Sequence, residues 1–474
     1  MVKNNYPYFL ETFVGQLPIG ESFDLVERRL KIGGRDGRMY FLDGLTDGQK
    51  GQLLLDFLMN ISTREMKTVE TADEFLASLV PFITATAETD VDMAAKQMYS
   101  GLAAILLDGL DKILIVDIRR YPLRGVEEPE KEKTLRGAKD GFNESIMSNI
   151  GLIRRRIRDN RLIFKYHMIG VKSKTDVALC YMKGIVDDAL LEKVESALSR
   201  IVIDSVSIGD QTIVEQLMKE FHRGRGGIAS SFNPFPKVRY TQRPDVVCAH
   251  LTEGKIAIIV DNTPTVLLVP VGIFNFTQDP DDYYFPLVTG NYLRLLRILN
   301  MLLILLATPI YLLTCEGHID APFDLDFILP RDPYALSIFW QFILLELAID
   351  ALKLASLNTP NSLGMSLSVI GALILGEFSI DSGWFISQTI LVMAVVALAS
   401  FTQPSMELSY GMKFLRIILL IICHLFGFWG FFGGLLLAFL MLVTTKTVSG
   451  HSYLFPLIPF YWPSLKKLLF RTVK

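Results

Sequence analysis

The stretch Leu293–Leu313 (LRLLRILNMLLILLATPIYLL) sets the first constraint on this chain. It carries no charge after Arg297. At about 20 residues it has the length a helix needs to cross roughly 30 Å of hydrocarbon. Arg294 and Arg297 stand at its start, where long basic side chains can reach back to headgroups. Four more long apolar runs follow before Thr444, which argues against a buried core helix of a soluble protein. Residues before this stretch read instead as a soluble αβ protein.

The overall balance of 50% hydrophobic and 20% charged residues averages these two unlike halves. A net charge of −3, with no basic stripe interleaved with aromatics, gives no case for nucleic acid. Cys180, Cys248, Cys315 and Cys423 are scattered and form no CxxC, so neither a disulfide framework nor a metal site is expected, and no cofactor. Glu11, Glu21, Asp24, Glu27 and Arg28 interrupt the first 30 residues, so no signal peptide is expected. The N-terminal half should then stay on the cytoplasmic side.

Within that half, helical spacing covers Gln49–Ile61, with Leu53, Leu54, Phe57 and Leu58 on one side. Further helices are expected over Thr71–Val80 and Ala94–Ser100. The runs Ala103–Leu107 and Ile113–Val116, separated by a turn that includes Asp108-Gly109, read as a hairpin. The same grammar returns later. Phe41–Asp47 (FLDGLTD) is echoed by Tyr181–Asp187 (YMKGIVD), and Gly101–Asp108 (GLAAILLD) by Gly254–Asp261 (GKIAIIVD), at offsets of 140 and 153. The expected fold class follows: an α+β soluble N-terminal half with two related αβ subdomains, then an all-α polytopic transmembrane domain. The expected boundaries are 1–120 and 162–285 for the subdomains, 121–161 for a linker and basic helix, 286–445 for four to six crossings, and 446–474 for a basic cytoplasmic tail.

Arg154, Arg155, Arg156 and Arg158 crowd the end of the helix expected over Phe142–Asp159, where basic charge suits the helix dipole. They read either as a solvated or intersubunit salt-bridge face, or as a site for an acidic surface or headgroups. The glycine-rich run 222–227 lacks the lysine and hydroxyl of a phosphate loop.

In the second half, Glu346, Asp350 and Lys353 interrupt the apolar run Tyr334–Ala355 at spacings of four and three, on one helix face. Each charge at the bilayer centre would cost roughly 2.5–3.5 kcal/mol, so that face should look into protein or water. A pore or polar-cavity lining is one reading; an interfacial helix or an internal Glu/Asp–Lys pairing is the other. Leu415–Val443 is about 29 residues long, and Gly427, Gly430, Gly433 and Gly434 allow a break or tight hairpin. The loop 316–332 is acidic and the tail basic, which places the tail with the N-terminal half inside and makes the number of crossings even.

Asn233–Asp245 (NPFPKVRYTQRPD), Glu253–Pro270 (EGKIAIIVDNTPTVLLVP), Asp279–Tyr284 (DPDDYY), Arg136–Asp159 and Ala399–Ser409 (ASFTQPSMELS) resemble the GerA family of spore germination membrane proteins. The loop at Thr359-Pro360 departs from the family pattern, which puts an apolar residue before that proline. The resemblance implies a multi-pass protein of the endospore inner membrane. It also implies membrane lipid and other spore inner-membrane proteins as partners, and a homo-oligomeric ring, five copies being a candidate number, that conducts ions during germination. A receptor or scaffold that opens a separate channel is the competing class. A membrane enzyme is not expected, because no nucleophile–base pair, metal cluster or phosphate loop survives inspection.

Overall fold

The computed structural model describes residues 5–82, 84–121, 132, 134–206, 209–221, 233–319, 329–330, 334–358, 371 and 373–470. The glycine-rich run 222–227, most of the acidic loop and the small-residue run 362–370 lie outside them. The chain divides into two compact units, one of Met1–Gly226 with Val238–Pro270, the other of Gly227–Lys237 with Val271–Lys474.

The first unit holds two five-stranded antiparallel sheets. Strands β1 (Leu25–Ile32), β2 (Arg35–Leu42), β3 (Ala85–Glu88), β4 (Ala103–Leu107) and β5 (Ile113–Val116) lie in the order β1-β2-β4-β5-β3. Strands β6 (Leu162–Ile169), β7 (Thr175–Met182), β8 (Arg239–Thr241), β9 (Ile256–Val260) and β10 (Val266–Val269) lie in the order β6-β7-β9-β10-β8. The two orders are the same, and the echoed segments occupy equivalent places. Asp47 caps helix α1 (Gly48–Asn60) by accepting from the Gln49 and Lys50 amides. Asp187, its counterpart, caps the helix Asp188–Arg200 by accepting from the Ala189 amide. Gly101 and Gly254 both have positive φ, and a side chain at either would meet the equivalent neighbour, Leu45 at 3.0 Å or Ile185 at 2.7 Å.

Continuous apolar runs in β4 and β5 are explained by burial on both faces. Ile105, Leu107, Leu114 and Val116 pack under α1 and α2 (Ala72–Leu79), whereas Ala104, Leu106, Ile113 and Ile115 pack under α3 (Val91–Tyr99). On α1 the buried stripe is Leu54, Leu55 and Leu58, while Leu53 and Phe57 are exposed. The inward face is therefore rotated by about one residue from the expected one, or about 100°. The helix expected over Phe142–Asp159 forms as α4 (Ile146–Arg156). Ile146, Ile150, Ile153 and Ile157 are all buried, and α4 packs against the Asp43–Leu45 turn of the first repeat and the helix α5 (Pro244–Thr252) of the second.

The second unit is helical. Its main elements are α6 (Leu287–Cys315), α7 (Ile338–Asn358), α8 (Ser387–Phe401), α9 (Met406–Thr444) and α10 (Trp462–Leu469). Two of them, α6 and α9, are long and apolar enough to cross a membrane. Helix α9 reverses at Gly427, whose φ of 57° and ψ of −138° suit glycine alone. Past the turn, Gly434 leaves only 2.5 Å between a would-be side chain and Leu419 Cδ1, and Gly430 lies against the Ile422 carbonyl. A straight helix would hold positions 419 and 434 about 22 Å apart. So α9 is a hairpin of two arms, and the small residues let them approach closely.

Cys423 near the hairpin tip, Leu313 at the end of α6, Ile338 at the start of α7 and Phe385 before α8 share one cluster. At the opposite end, Asn300 donates to Thr402 at 2.9 Å and Gln403 donates to the Arg297 carbonyl at 3.1 Å. The arms outside this core carry apolar stripes: Leu295, Leu299 and Leu302; Leu391, Val395 and Leu398; Phe414, Ile418, Ile421 and Leu425; Trp429, Phe432, Leu436 and Leu440. An exposed apolar stripe on every arm suits hydrocarbon rather than water.

Residues 271–285 group with these helices for a local reason. Asp282 is wholly buried, with Arg297 at 2.5 Å and Arg294 at 3.6 Å. The two arginines therefore do not reach to headgroups as expected; the DPDDYY motif supplies carboxylates that hold them inside the protein.

Candidate functional site

Helix α7 presents Glu346, Asp350 and Lys353 along one face, and the structure shows what that face meets. The first arm of α9 brings Lys413 and Arg416, three residues apart, into register with it. Arg416 pairs with one oxygen of Glu346, and Lys413 lies 3.2 Å from the other. Lys413 also pairs with Asp350. Arg416 donates in addition to the Ile304 carbonyl of α6 at 3.0 Å. Two acids and two bases thus cancel between apolar helices. Glu346, Lys413 and Arg416 are buried, and Asp350 is half-buried.

Among the described residues Lys353 joins no acid. Its ammonium lies 4.9 Å from the centre of the Phe401 ring and 5.7 Å from that of Tyr410, a cation–π arrangement at the end of the face. Among the described residues, the buried polar atoms of this unit that lack a hydrogen-bond partner include Asp350 Oδ1, Arg416 Nε and the hydroxyls of Thr308 and Thr389.

Of the two sequence readings of this face, an internal pairing is what the structure shows within one chain. The partners are Lys413 and Arg416 rather than Lys353. Sequence reasoning missed both, although two basic residues three apart at the head of a long apolar run were a usable signal. His424 stacks on Phe339 with ring centres 4.3 Å apart, and its Nδ1 lies 3.1 Å from Glu316.

The four arginines of the α4 end separate. Arg154 is buried rather than on a solvated or intersubunit face. Its Nε and Nη2 donate to the two oxygens of Asp24, each at 3.0 Å, and its Nη1 donates to the Leu162 carbonyl at 3.0 Å. The rings of Tyr99 and Phe164 flank it at 5.5 and 5.0 Å. It joins the first repeat to the second. Arg156 forms a bidentate pair with Asp140 at 2.6 Å. Arg155, over the ring of Tyr121, and Arg158 remain exposed. Among the described residues no group of three or more His, Cys, Asp or Glu side chains could hold a metal ion.

Elsewhere in the first unit, burial pushes His250 down to about 4 and Lys255 down to about 8. The Lys255 ammonium lies 2.9 Å from His250 Nδ1, and Arg239 stands 3.4 Å from the other ring nitrogen.

The motifs that carry the family resemblance have structural work in both units. In the helical unit Asn233 donates to Thr445 Oγ1 at 2.6 Å, and the Tyr453 hydroxyl donates to the Pro236 carbonyl at 2.8 Å. In the first unit Arg243 is wholly buried, paired with Asp245 and donating to the Glu132 and Ala138 carbonyls. A family model described as Bacillus/Clostridium GerA spore germination protein matches residues 16–473. The chain belongs to that family. This GerA-family membrane protein is 35% identical over 465 residues to stage V sporulation protein AF of Bacillus subtilis (strain 168), across 98% of this chain and 92% of the relative. It is 30% identical over 460 residues to spore germination protein KA of the same organism, across 96% of this chain and 82% of the relative. Among solved structures it is similar to the N-terminal domain of the A subunit of the Bacillus megaterium spore germinant receptor GerK3. That similarity has 29% sequence identity, covers 56% of this chain and 95% of that one, and has a TM-score of 0.41.

Proposed function

We propose that this GerA-family protein is a subunit of a ring-shaped homo-oligomer that conducts monovalent cations across the spore inner membrane during germination. In this reading the first unit and the basic tail face the cytoplasm, and the arms cross the membrane an even number of times. The observation that supports it is the charged network of Glu346, Asp350, Lys413 and Arg416 among apolar helices. Replacing a buried ion pair by well-packed apolar side chains of similar volume is often neutral or stabilising, so stability alone does not account for this network. The Oδ1 of half-exposed Asp350, which has no partner among the described residues, adds an acceptor for water or a cation. Opening would exchange intramolecular pairs for contacts with water and ions.

A receptor or scaffold subunit that signals to a separate channel is the second reading. The size of the first unit and the buried Arg154–Asp24 pair within it favour it. Potassium and sodium flux from liposomes holding the purified protein separates the two. Conduction predicts flux whose rate or selectivity changes in Glu346→Gln and Asp350→Asn. If those variants assemble normally and flux is untouched, the network does not line the path.

A further inference from the structure

No acidic residue follows Glu407, while Lys446, Lys466, Lys467, Arg471 and Lys474 all do. Within this basic stretch α10 has a sharp division of faces. Leu465 is buried and Leu468 half-buried, three residues apart, so they face the protein. Trp462, Lys466 and Phe470 recur every four residues on the outward side, with both aromatics 54% exposed. Phe460 and Tyr461 extend the patch at 66% and 53% exposure, and Phe460 stacks on Trp462. Four exposed aromatic side chains so close together are out of place on a water-facing surface, and a basic residue set among aromatics is the composition of a helix lying in a membrane interface.

A second, independent observation fixes the depth of this helix. Buried Arg294 donates to the Leu468 carbonyl at 2.9 Å, in the last turn of α10 where carbonyls lack helical partners. Arg294 lies one turn before Arg297, the last charge on α6, after which residues 298–315 are uncharged. The end of α10 is therefore fastened at the level where the apolar part of α6 begins, which is the headgroup layer of a spanning helix.

We propose that α10 lies in the headgroup layer and binds an anionic phospholipid surface, its aromatic side chains at the acyl boundary and Lys466 on the phosphates. The proposal stands on the apolar stripes of the helical unit and is independent of conduction. The probe is purified full-length protein in mild detergent, melted with added phosphatidylglycerol, phosphatidylcholine or inorganic phosphate. Phosphatidylglycerol should raise Tm more than phosphatidylcholine, phosphate alone should not, and Lys466→Gln should remove at least half of the difference between the lipids. Equal shifts with both lipids, an undiminished difference in the variant, or the same shift from phosphate alone would each overturn it. A salt series on the unmodified protein covers the case in which the variant does not fold. Raising NaCl from about 50 to about 500 mM should erode the phosphatidylglycerol effect by screening, and an effect indifferent to salt contradicts the proposal.

Discussion

Arg154 and Asp24 are each about 1% exposed; Asp24 lies in the first repeat and Arg154 on α4, which packs against both repeats. Removing one partner of such a pair leaves a buried charge uncompensated, at a cost of about 3–5 kcal/mol. The Phe23 amide donates to the Phe164 carbonyl beside this pair at 3.0 Å. Arg154→Met should therefore cut hydrogen-exchange protection at Phe23 and Phe164 by orders of magnitude, and Arg154→Met/Asp24→Asn should restore part of it. Unchanged protection in the single variant would show the pair to be idle. His250 gives a pH-dependent prediction. An unfolded histidine titrates near 6.5, roughly, whereas folded His250 titrates at about 4 because burial penalises its charge. Between those values the unfolded chain holds a proton that the folded chain lacks, so stability falls as pH drops through that window, by up to roughly 3 kcal/mol. Lys255 acts at the other end. Its folded value of about 8 lies below the ordinary lysine value of 10.5, so stability rises with pH between them. Denaturation curves against pH should show both slopes, with His250→Gln flattening the acidic one. At this scale the sequence showed which residue types were out of place, namely Glu346, Asp350, Lys353 and the arginine cluster. It did not show their partners, because Asp24 lies 130 residues from Arg154 and Arg416 lies 70 from Glu346. Only the fold brings those positions together.

Among the elements, the α9 hairpin shows what a local signal can and cannot convey. Glycines inside a long apolar run mark a place where the helix can break, and Gly427 is that break. Which glycines turn and which only make room depends on packing. Gly430 and Gly434 are helical and sit under Ile422 and Leu419. A disulfide should form readily in Leu419→Cys/Gly434→Cys with the remaining cysteines replaced, whereas a continuous helix would keep the two sulfurs apart and no cross-link would form. Gly427→Val should lower Tm, since the side chain would be forced into a backbone conformation costing about 1–3 kcal/mol and would meet the His318 ring 2.8 Å away. The strands divide in the same way. Hairpin β4–β5 was readable from two apolar runs about a turn, but edge strands β3 (ATAE) and β8 (RYT) were not. They are short and half-polar, and they are strands because β5 and β10 offer them an open edge.

At the scale of the whole molecule, the echoed segments pointed to two related subdomains, and the matching strand orders bear that out. The division into an α+β part and a helical part was legible because apolar length and periodicity are local properties of the chain. How the helical arms pair was not, since apolar side chains fit hydrocarbon and protein alike and only the charges discriminate between neighbours. Those charges are the centre of the functional account. Flux of potassium and sodium from liposomes containing the purified chain, with oligomer size measured in the same detergent, tests it most directly. Conduction predicts flux from a defined oligomer, with rate or selectivity altered by Glu346→Gln and Asp350→Asn at unchanged assembly. A well-folded oligomer that passes neither ion, alone or with its spore-membrane partners, would contradict it.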